Sequence, residues 1–258
     1  MADLRGRSLL RSALATIVQS KLTGALDGRS IIASMPPKWP RRFCCDEDLA
    51  LIGYDGRFAA DELANYRNRG PRRTTRELID AIRGQGVEGA LVLDIGAGVG
   101  AIHTALLEAG AASAVDVDAS REYLATARAE AQRRGLDGRV EYRYGDLVEL
   151  AADLAPADIV TLDSVVCCYP YLPALVQAAL TPRPRLVGLV YPRDVWWMLL
   201  YMQLFNVVHS LRRSPARYFA YRHRDVRALM TGGGYSEIHD GGSPAWRVVL
   251  YRRPRARA

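Results

Sequence analysis

The sequence predicts an α/β fold: a doubly wound seven-stranded sheet, mostly parallel with a C-terminal antiparallel strand, plus an N-terminal helical cap. Three observations carry this. From Leu91 onward, short apolar runs alternate with stretches of helical periodicity, the pattern of a parallel sheet covered on both faces. The first run, Leu91 to Gly100 (LVLDIGAGVG), passes from strand into a glycine-rich turn and then into helix-forming sequence. Near the end, Tyr235 to Asp240 and Trp246 to Tyr251 are β-rich and separated by GGSPA, which predicts a closing antiparallel pair.

In chain order, Met1 to about Arg42 is rich in arginine, serine and small residues and ends on MPPKWPRR. Arg5, Arg7 and Arg11 precede an apolar stretch in the manner of a presequence, but Arg11 interrupts that stretch and no persuasive cleavage site follows. Residues 1–42 are expected to be a loosely ordered arm, with Met35 an alternative start. Residues 43–89 read as a helical cap, with amphipathic helices at Ala59 to Tyr66 and Thr74 to Ile82 separated by Arg69-Gly70-Pro71. Residues 90–258 hold the core. There, AIHTALLEAG is a helix stopped by Gly110, and ASAVDVDAS a strand ending in acid. Arg121 to Arg134 is the next helix, closed by Gly135. RVEYRY, ADIVTLD and RLVGLVY are further strands, with a helix over Leu172 to Leu180 before the last of them.

Gly96, Gly98 and Gly100 permit torsions and close approach that a Cβ would block, and the turn presents N–H groups at a helix start. Taken alone the turn is ambiguous, because Gly96, Gly98 and Ala101 also satisfy the loose dinucleotide pattern GxGxx(G/A). Asp94, two residues earlier, would repel a pyrophosphate but suits a cationic amino-sulfonium group. The resulting DxGxGxG, Asp94-Ile95-Gly96-Ala97-Gly98-Val99-Gly100, resembles motif I of the Rossmann-like (class I) S-adenosylmethionine-dependent methyltransferases. Asp118, followed by Ala119 and Ser120, and Gly145-Asp146-Leu147 stand in family-like order after it, with Asp163 ending the fourth strand. The resemblance implies S-adenosyl-L-methionine as cofactor. Asp118 would then hold the ribose hydroxyls, with Asp116 the fallback, and Asp146 and the Leu147 N–H would face the adenine. The alternatives are an NAD-dependent oxidoreductase, which an acid at Asp118 suits equally, and a non-catalytic donor-binding protein.

Composition narrows the partners. The chain has 258 residues, 49% hydrophobic and 24% charged, ordinary for one soluble domain with embellishment. The net charge of +7 comes almost wholly from arginine, with Lys21 and Lys38 the only lysines, so it reads first as a compositionally skewed surface. No nucleic-acid-binding motif accompanies it. The sequence Asp163-Ser164-Val165-Val166-Cys167-Cys168-Tyr169 departs from the (D/N)PPY of amino-methylating nucleic-acid enzymes and argues against base methylation. Cysteines fall as Cys44-Cys45 and Cys167-Cys168, which fits neither zinc nor a disulfide framework, so no metal is expected and a cytoplasmic location is. The expected partner is a small, hydrophobic acceptor molecule; oligomeric state is open.

Candidates for the chemistry follow. Tyr169 is placed to orient a substrate, and His103 and His223 are the candidate bases, ahead of His209 and His239. In the cap, Tyr66, Arg73 and Thr75 are candidates to touch ligand. Val195 to Leu211 is an apolar, aromatic helix, slightly short for a membrane span. Trp196, Trp197, Tyr201 and Phe205 are read as a lid over a hydrophobic substrate, as a peripheral membrane contact beside Arg212-Arg213, or as core. The order of elements after the fifth strand also resembles, weakly, the C-terminal half of magnesium-protoporphyrin O-methyltransferases.

Overall fold

The computed structural model describes residues 56–212 and 217–254. The expected arm, the first part of the cap, Cys44-Cys45 and Arg213 lie outside the described residues. The cap helices are α1 (Gly56–Arg69) and α2 (Arg73–Arg83). The core then runs β1 (Leu91–Ile95), α3 (Ala101–Glu108), β2 (Ser113–Asp118), α4 (Arg121–Arg133), β3 (Val140–Tyr144), α5 (Leu147–Leu150) and β4 (Ile159–Asp163). It continues through α6 (Leu172–Leu180), β5 (Leu186–Pro192), α7 (Trp196–Leu211), α8 (His223–Gly232), β6 (Ser236–Gly242) and β7 (Trp246–Arg252).

The seven strands lie in the order β3-β2-β1-β4-β5-β7-β6, and only β7 runs against the others. The chain winds outward from β1 to β3, then returns to β4 on the other side of β1, so the strand order reverses between β1 and β4. In open α/β sheets such a switch point, at the carboxyl ends of the strands, is where ligands bind. Strand β5 is buried along LVGLVY, as a central strand covered on both faces must be. Strand β6 is the polar edge, SEIHDGG, broken by a bulge between Glu237 and His239 that blunts further strand pairing.

Two apolar layers flank the sheet. On one face Leu78 and Ile82 of α2, and Ile102 and Leu106 of α3, pack on Val92, Ile159, Leu186 and Val190. On the other, Leu175 of α6 and Val226 and Met230 of α8 pack on Leu93, Val160, Leu189 and Val249. Helix α7 departs from the apolar-core reading: of its sixteen residues only Met198 and Met202 are buried, against Cys167 and Trp246. Among the described residues no helix is long and apolar enough to cross a membrane.

One buried acid helps join the first cap helix to the core. Glu130 of α4 is fully buried and accepts from Arg67 of α1 (2.8 Å), from Arg133 (2.6 and 2.9 Å) and from Arg134 (2.8 Å). Arg133 first, with Arg134 and Arg67, holds its carboxyl down at about 2 despite burial. Removing the charge leaves three guanidinium groups short of their acceptor, so Glu130→Gln is expected to cost roughly 2–4 kcal/mol in chemical denaturation. Because the folded pKa is depressed, this stabilisation is complete above the unfolded value near 4.5 and drains away as pH falls towards 2. The acid limb of the stability profile is therefore expected to flatten in the variant.

Candidate functional site

A cavity of about 840 Å³ opens at the β1/β4 switch, walled by the turns that follow β1, β2, β3 and β4 and roofed by α1 and α2. Its floor is the glycine turn. Gly96 sits at φ +60°, and a Cβ there would come within 2.5 Å of the Val165 side chain, so the turn and the β4 loop approach as closely as they do only because Gly96 has none. The β4 loop carries its own tension: Ser164, on the cavity wall, is held at φ +65°, with its N–H bonded to Val190 O.

Asp94 lies beneath this turn and is nearly inaccessible. One carboxylate oxygen accepts from Thr161 of β4 at 2.6 Å; the other accepts from the His103 N–H at 3.2 Å and its Nδ1 at 3.1 Å. Gly100, the residue before α3, has no side chain to cap the helix, and Asp94 caps it from the strand instead. Gly100 itself, at φ +78°, leaves room for the His103 ring, whose Nε2 would lie 2.6 Å from a Cβ at that position. Asp94 still contributes to the cavity wall, but its hydrogen bonds go to the scaffold. This corrects one expectation: His103, wholly buried behind the turn, does not face the cavity as a base would.

Asp118, at the end of β2, accepts from the Ser120 N–H at 2.8 Å and from the Gly98 N–H at 3.3 Å. Burial, against these bonds, pushes its carboxyl up to about 6. The glycine-turn amide that a phosphate would seek is thus already engaged by a carboxylate. Asp116, two residues earlier, is fully buried with neither oxygen bonded to protein, and burial first, then Asp118 and Asp94, raises it well above the carboxylate range. Buried within the sheet layer and absent from the cavity wall, it is not a second ligand for the cavity.

After β3, Asp146 caps α5 through the Val148 N–H (2.8 Å), and its other oxygen accepts from the Tyr169 hydroxyl at 3.0 Å. Burial raises its pKa, opposed by those two bonds. Leu147 follows on the wall at the first position of α5, where a helix leaves its N–H without an intrahelical partner. After β4, Asp163 accepts from Thr75 of α2 at 2.5 Å and from Ser164 at 2.9 Å, and burial again moves its pKa upward.

The cavity therefore gathers Asp94, Gly96, Ala97, Gly98, Asp118, Ala119, Asp146, Leu147, Asp163 and Tyr169, with Tyr66 and Thr75 from the cap. Gly100, His103, Arg73 and His223 are not on its wall, and among the described residues no histidine is. His223 bonds through Nδ1 to the Tyr191 hydroxyl (2.7 Å) and lies 3.3 Å from Glu237 through Nε2; burial and Arg247 lower its pKa. This corrects its reading as the second base. Its ring nitrogen and the Glu237 and Asp240 carboxylates offer ligand atoms within 4.8 Å of one another, but Tyr191, Tyr251 and Arg247 already partner them. Phe205, read as a lid residue, stacks on His209 at 4.0 Å, and none of the four aromatic residues so read lines the cavity.

The wall also holds residues that the motifs did not reveal. Glu62 of α1 accepts from the Tyr123 hydroxyl at 2.5 Å and pairs with Arg72, so the first cap helix is latched to α4 across the mouth. Arg69 and Arg76 share that mouth, and Tyr218 and Trp246 close the apolar end beside Cys167. The spacing of Glu62 on the cap helix was the one available signal; Trp246 arrives only because β7 runs back beside β5.

Comparison with known proteins agrees with this geometry. A family model described as a methyltransferase domain matches residues 92–181. The chain is 34% identical over 110 residues to a ribosomal protein L11 methyltransferase of Ectopseudomonas mendocina, covering 42% of this chain and 37% of that protein. It is 31% identical over 142 residues to a release factor glutamine methyltransferase of Agrobacterium fabrum, covering 52% and 47%. The matches thus span less than half the length of these relatives. Among solved structures, a magnesium protoporphyrin IX methyltransferase of Synechocystis with bound SAH superposes with a TM-score of 0.62 at 19% identity, over 81% of this chain and 100% of that one. A putative sarcosine dimethylglycine methyltransferase of Galdieria sulphuraria superposes with a TM-score of 0.57 at 14% identity, over 70% and 85%. Residues 92–181 match the methyltransferase-domain model, and the fold is that of the class I, Rossmann-like S-adenosylmethionine-dependent methyltransferases.

Proposed function

We propose that the chain transfers a methyl group from S-adenosyl-L-methionine to a small, hydrophobic acceptor. One observation carries the reading: Asp118, Asp146 and the glycine turn converge on a single cavity in which the Gly98 N–H is engaged by a carboxylate. That cradle suits two ribose hydroxyls and an exocyclic amine, all donors, and opposes a pyrophosphate. The bound donor would supply a methyl group on a positively charged sulfur. The residues present fit it: Asp118 on the ribose, Asp146 and Leu147 at the adenine, and the floor of Gly96 to Gly98 under the rest.

The protein's own contribution is alignment and exclusion of water. Tyr169 acts here as a positioning residue. Its hydroxyl fixes the Asp146 carboxylate, and its backbone oxygen is held in turn by the Tyr221 hydroxyl at 2.7 Å. Support for a hydrophobic acceptor comes from the far end of the cavity, lined by Val165, Cys167, Leu175 and Trp246. Cys167 is buried, and its thiol pKa is pushed well up, first by its contact with Cys168, which removes it as a nucleophile and leaves it as wall.

Isothermal calorimetry tests the reading. The protein is expected to bind S-adenosylmethionine and not NAD, with Asp118→Ala and Asp146→Ala each weakening binding by about ten- to a hundredfold, as befits charge-assisted hydrogen bonds. Affinity for NAD above that for the sulfonium donor would overturn the assignment. Since the carboxylate of Asp118, not its acid form, accepts from the ribose, and its pKa lies at about 6, affinity should be steady above pH 7. At pH 5 it should be about tenfold weaker, and Asp118→Asn should flatten that dependence. Tyr169→Phe is expected to weaken donor binding by about fivefold, the worth of one hydrogen bond, without changing the melting temperature by more than a few degrees. An unchanged dissociation constant would remove Tyr169 from the site.

A further inference from the structure

The outward face of α7 is apolar, uncharged and open. Eight large apolar side chains between Trp196 and Leu211 are exposed, Trp196 by 76% and Leu211 by 80%. At the α-helical repeat they span an arc of about 140° on a helix about 24 Å long. A patch of this extent exceeds what scattered surface residues produce. The helix is not free to roll the patch inward. Met198 and Met202 are packed on Cys167 and Trp246, and the Asn206 amide makes two 2.8 Å bonds with the backbone of Tyr218, one to its N–H and one to its carbonyl. The aromatic side therefore stays turned out.

Charge decides what covers it. Across its sixteen residues α7 has no Asp, Glu, Lys or Arg. A soluble helix pair uses a narrow seam bordered by charged positions that set its register, and here the apolar arc is wide and has no such border. Cations stand at the ends instead. Arg212 closes the helix and is exposed. Exposed Arg222 is brought to the other end because the N–H of His223 donates to Asp194 at 3.3 Å, two residues ahead of α7. Of the neighbouring charges, Arg193 is spent on the carbonyls of Gly241 and Ser243, Arg224 pairs with Asp225, and Asp194 remains the acid at that end. Tryptophan and tyrosine on the apolar side, arginine at the margins and too short a span to cross are the marks of a helix lying in a membrane interface.

We infer that α7 lies flat on an anionic lipid bilayer. Trp196, Tyr201, Leu204 and Leu211 enter the boundary between headgroups and acyl chains, and Arg212 and Arg222 meet lipid phosphates.

The test is co-sedimentation of the full chain with vesicles of phosphatidylcholine alone and with roughly 30% phosphatidylglycerol added. The wild type is expected to bind the anionic vesicles with a blue shift of tryptophan emission, and to bind the neutral ones less. Leu204→Glu should lower the partition coefficient by about tenfold or more and Trp196→Ala by about threefold, both with wild-type melting temperature and donor affinity. Leu211→Gln, at the most exposed position, keeps the test if Leu204→Glu does not fold. Since these variants leave residues 1–55 intact, a lipid contact made elsewhere in the chain would survive them, and binding equal to wild type in the variants overturns the inference. So does absence of binding to either vesicle. So, too, does a dimer in analytical ultracentrifugation that Leu204→Glu converts to monomer, which would make the face a contact between copies of the chain.

Discussion

The structure depends on the clamp that Asp94 makes between β1, β4 and α3. A glycine turn is permissive by nature and has no side chain to hold its own geometry. Here a buried carboxylate supplies the missing restraint, taking the Thr161 hydroxyl on one oxygen and the backbone and ring N–H of His103 on the other. The strand that delivers the turn and the helix that leaves it are thus tied at one atom group, and β4, which carries Asp163 to the rim, is tied to both. A buried carboxyl group with three hydrogen bonds of this kind is costly to disturb.

Asp94 is one member of a polar row crossing the sheet. Tyr142, Asp116, Asp94 and Thr161 are register partners on successive strands, so their side chains lie on the same face. Two anionic neighbours in such a row would repel strongly in a desolvated layer. Burial and its acidic neighbours raise the Asp116 pKa, whereas Asp94 is the member of the row that has donors around it. The same logic separates Asp118, whose bonds to Gly98 and Ser120 restrain its pKa, from Asp116, which has none. Position within the strand, two residues apart, decides which acid reaches the cavity.

Much of this was legible in the chain. The glycine turn, Asp118, Asp146 and the strand order rest on local patterns, short runs and turn residues whose meaning survives without tertiary contacts. Asp94 was visible but its partner was not: His103 lies nine residues on, and only the closed turn brings it back under the strand. The cap residues Glu62 and Arg72 reach the site through packing between separate helices, which no local pattern encodes. Helix α7 defeated periodicity for a different reason. When nearly every position is apolar, the pattern does not say which side meets the sheet; the Asn206 bonds to Tyr218 do, and they depend on a loop twelve residues away.

The cap adds a last consequence. Its latches end on side chains that form the cavity wall: Glu62 on Tyr123, and Thr75 on Asp163. A ligand that takes a hydrogen bond from Tyr123 or gives one to Asp163 must compete with the cap for the same atoms, whereas a ligand seated on the floor leaves the latches closed and gains a roof. A ligand on the floor is thus compatible with both latches as they stand. The Glu130 cluster ties α1 to α4 at a second point, through Arg67.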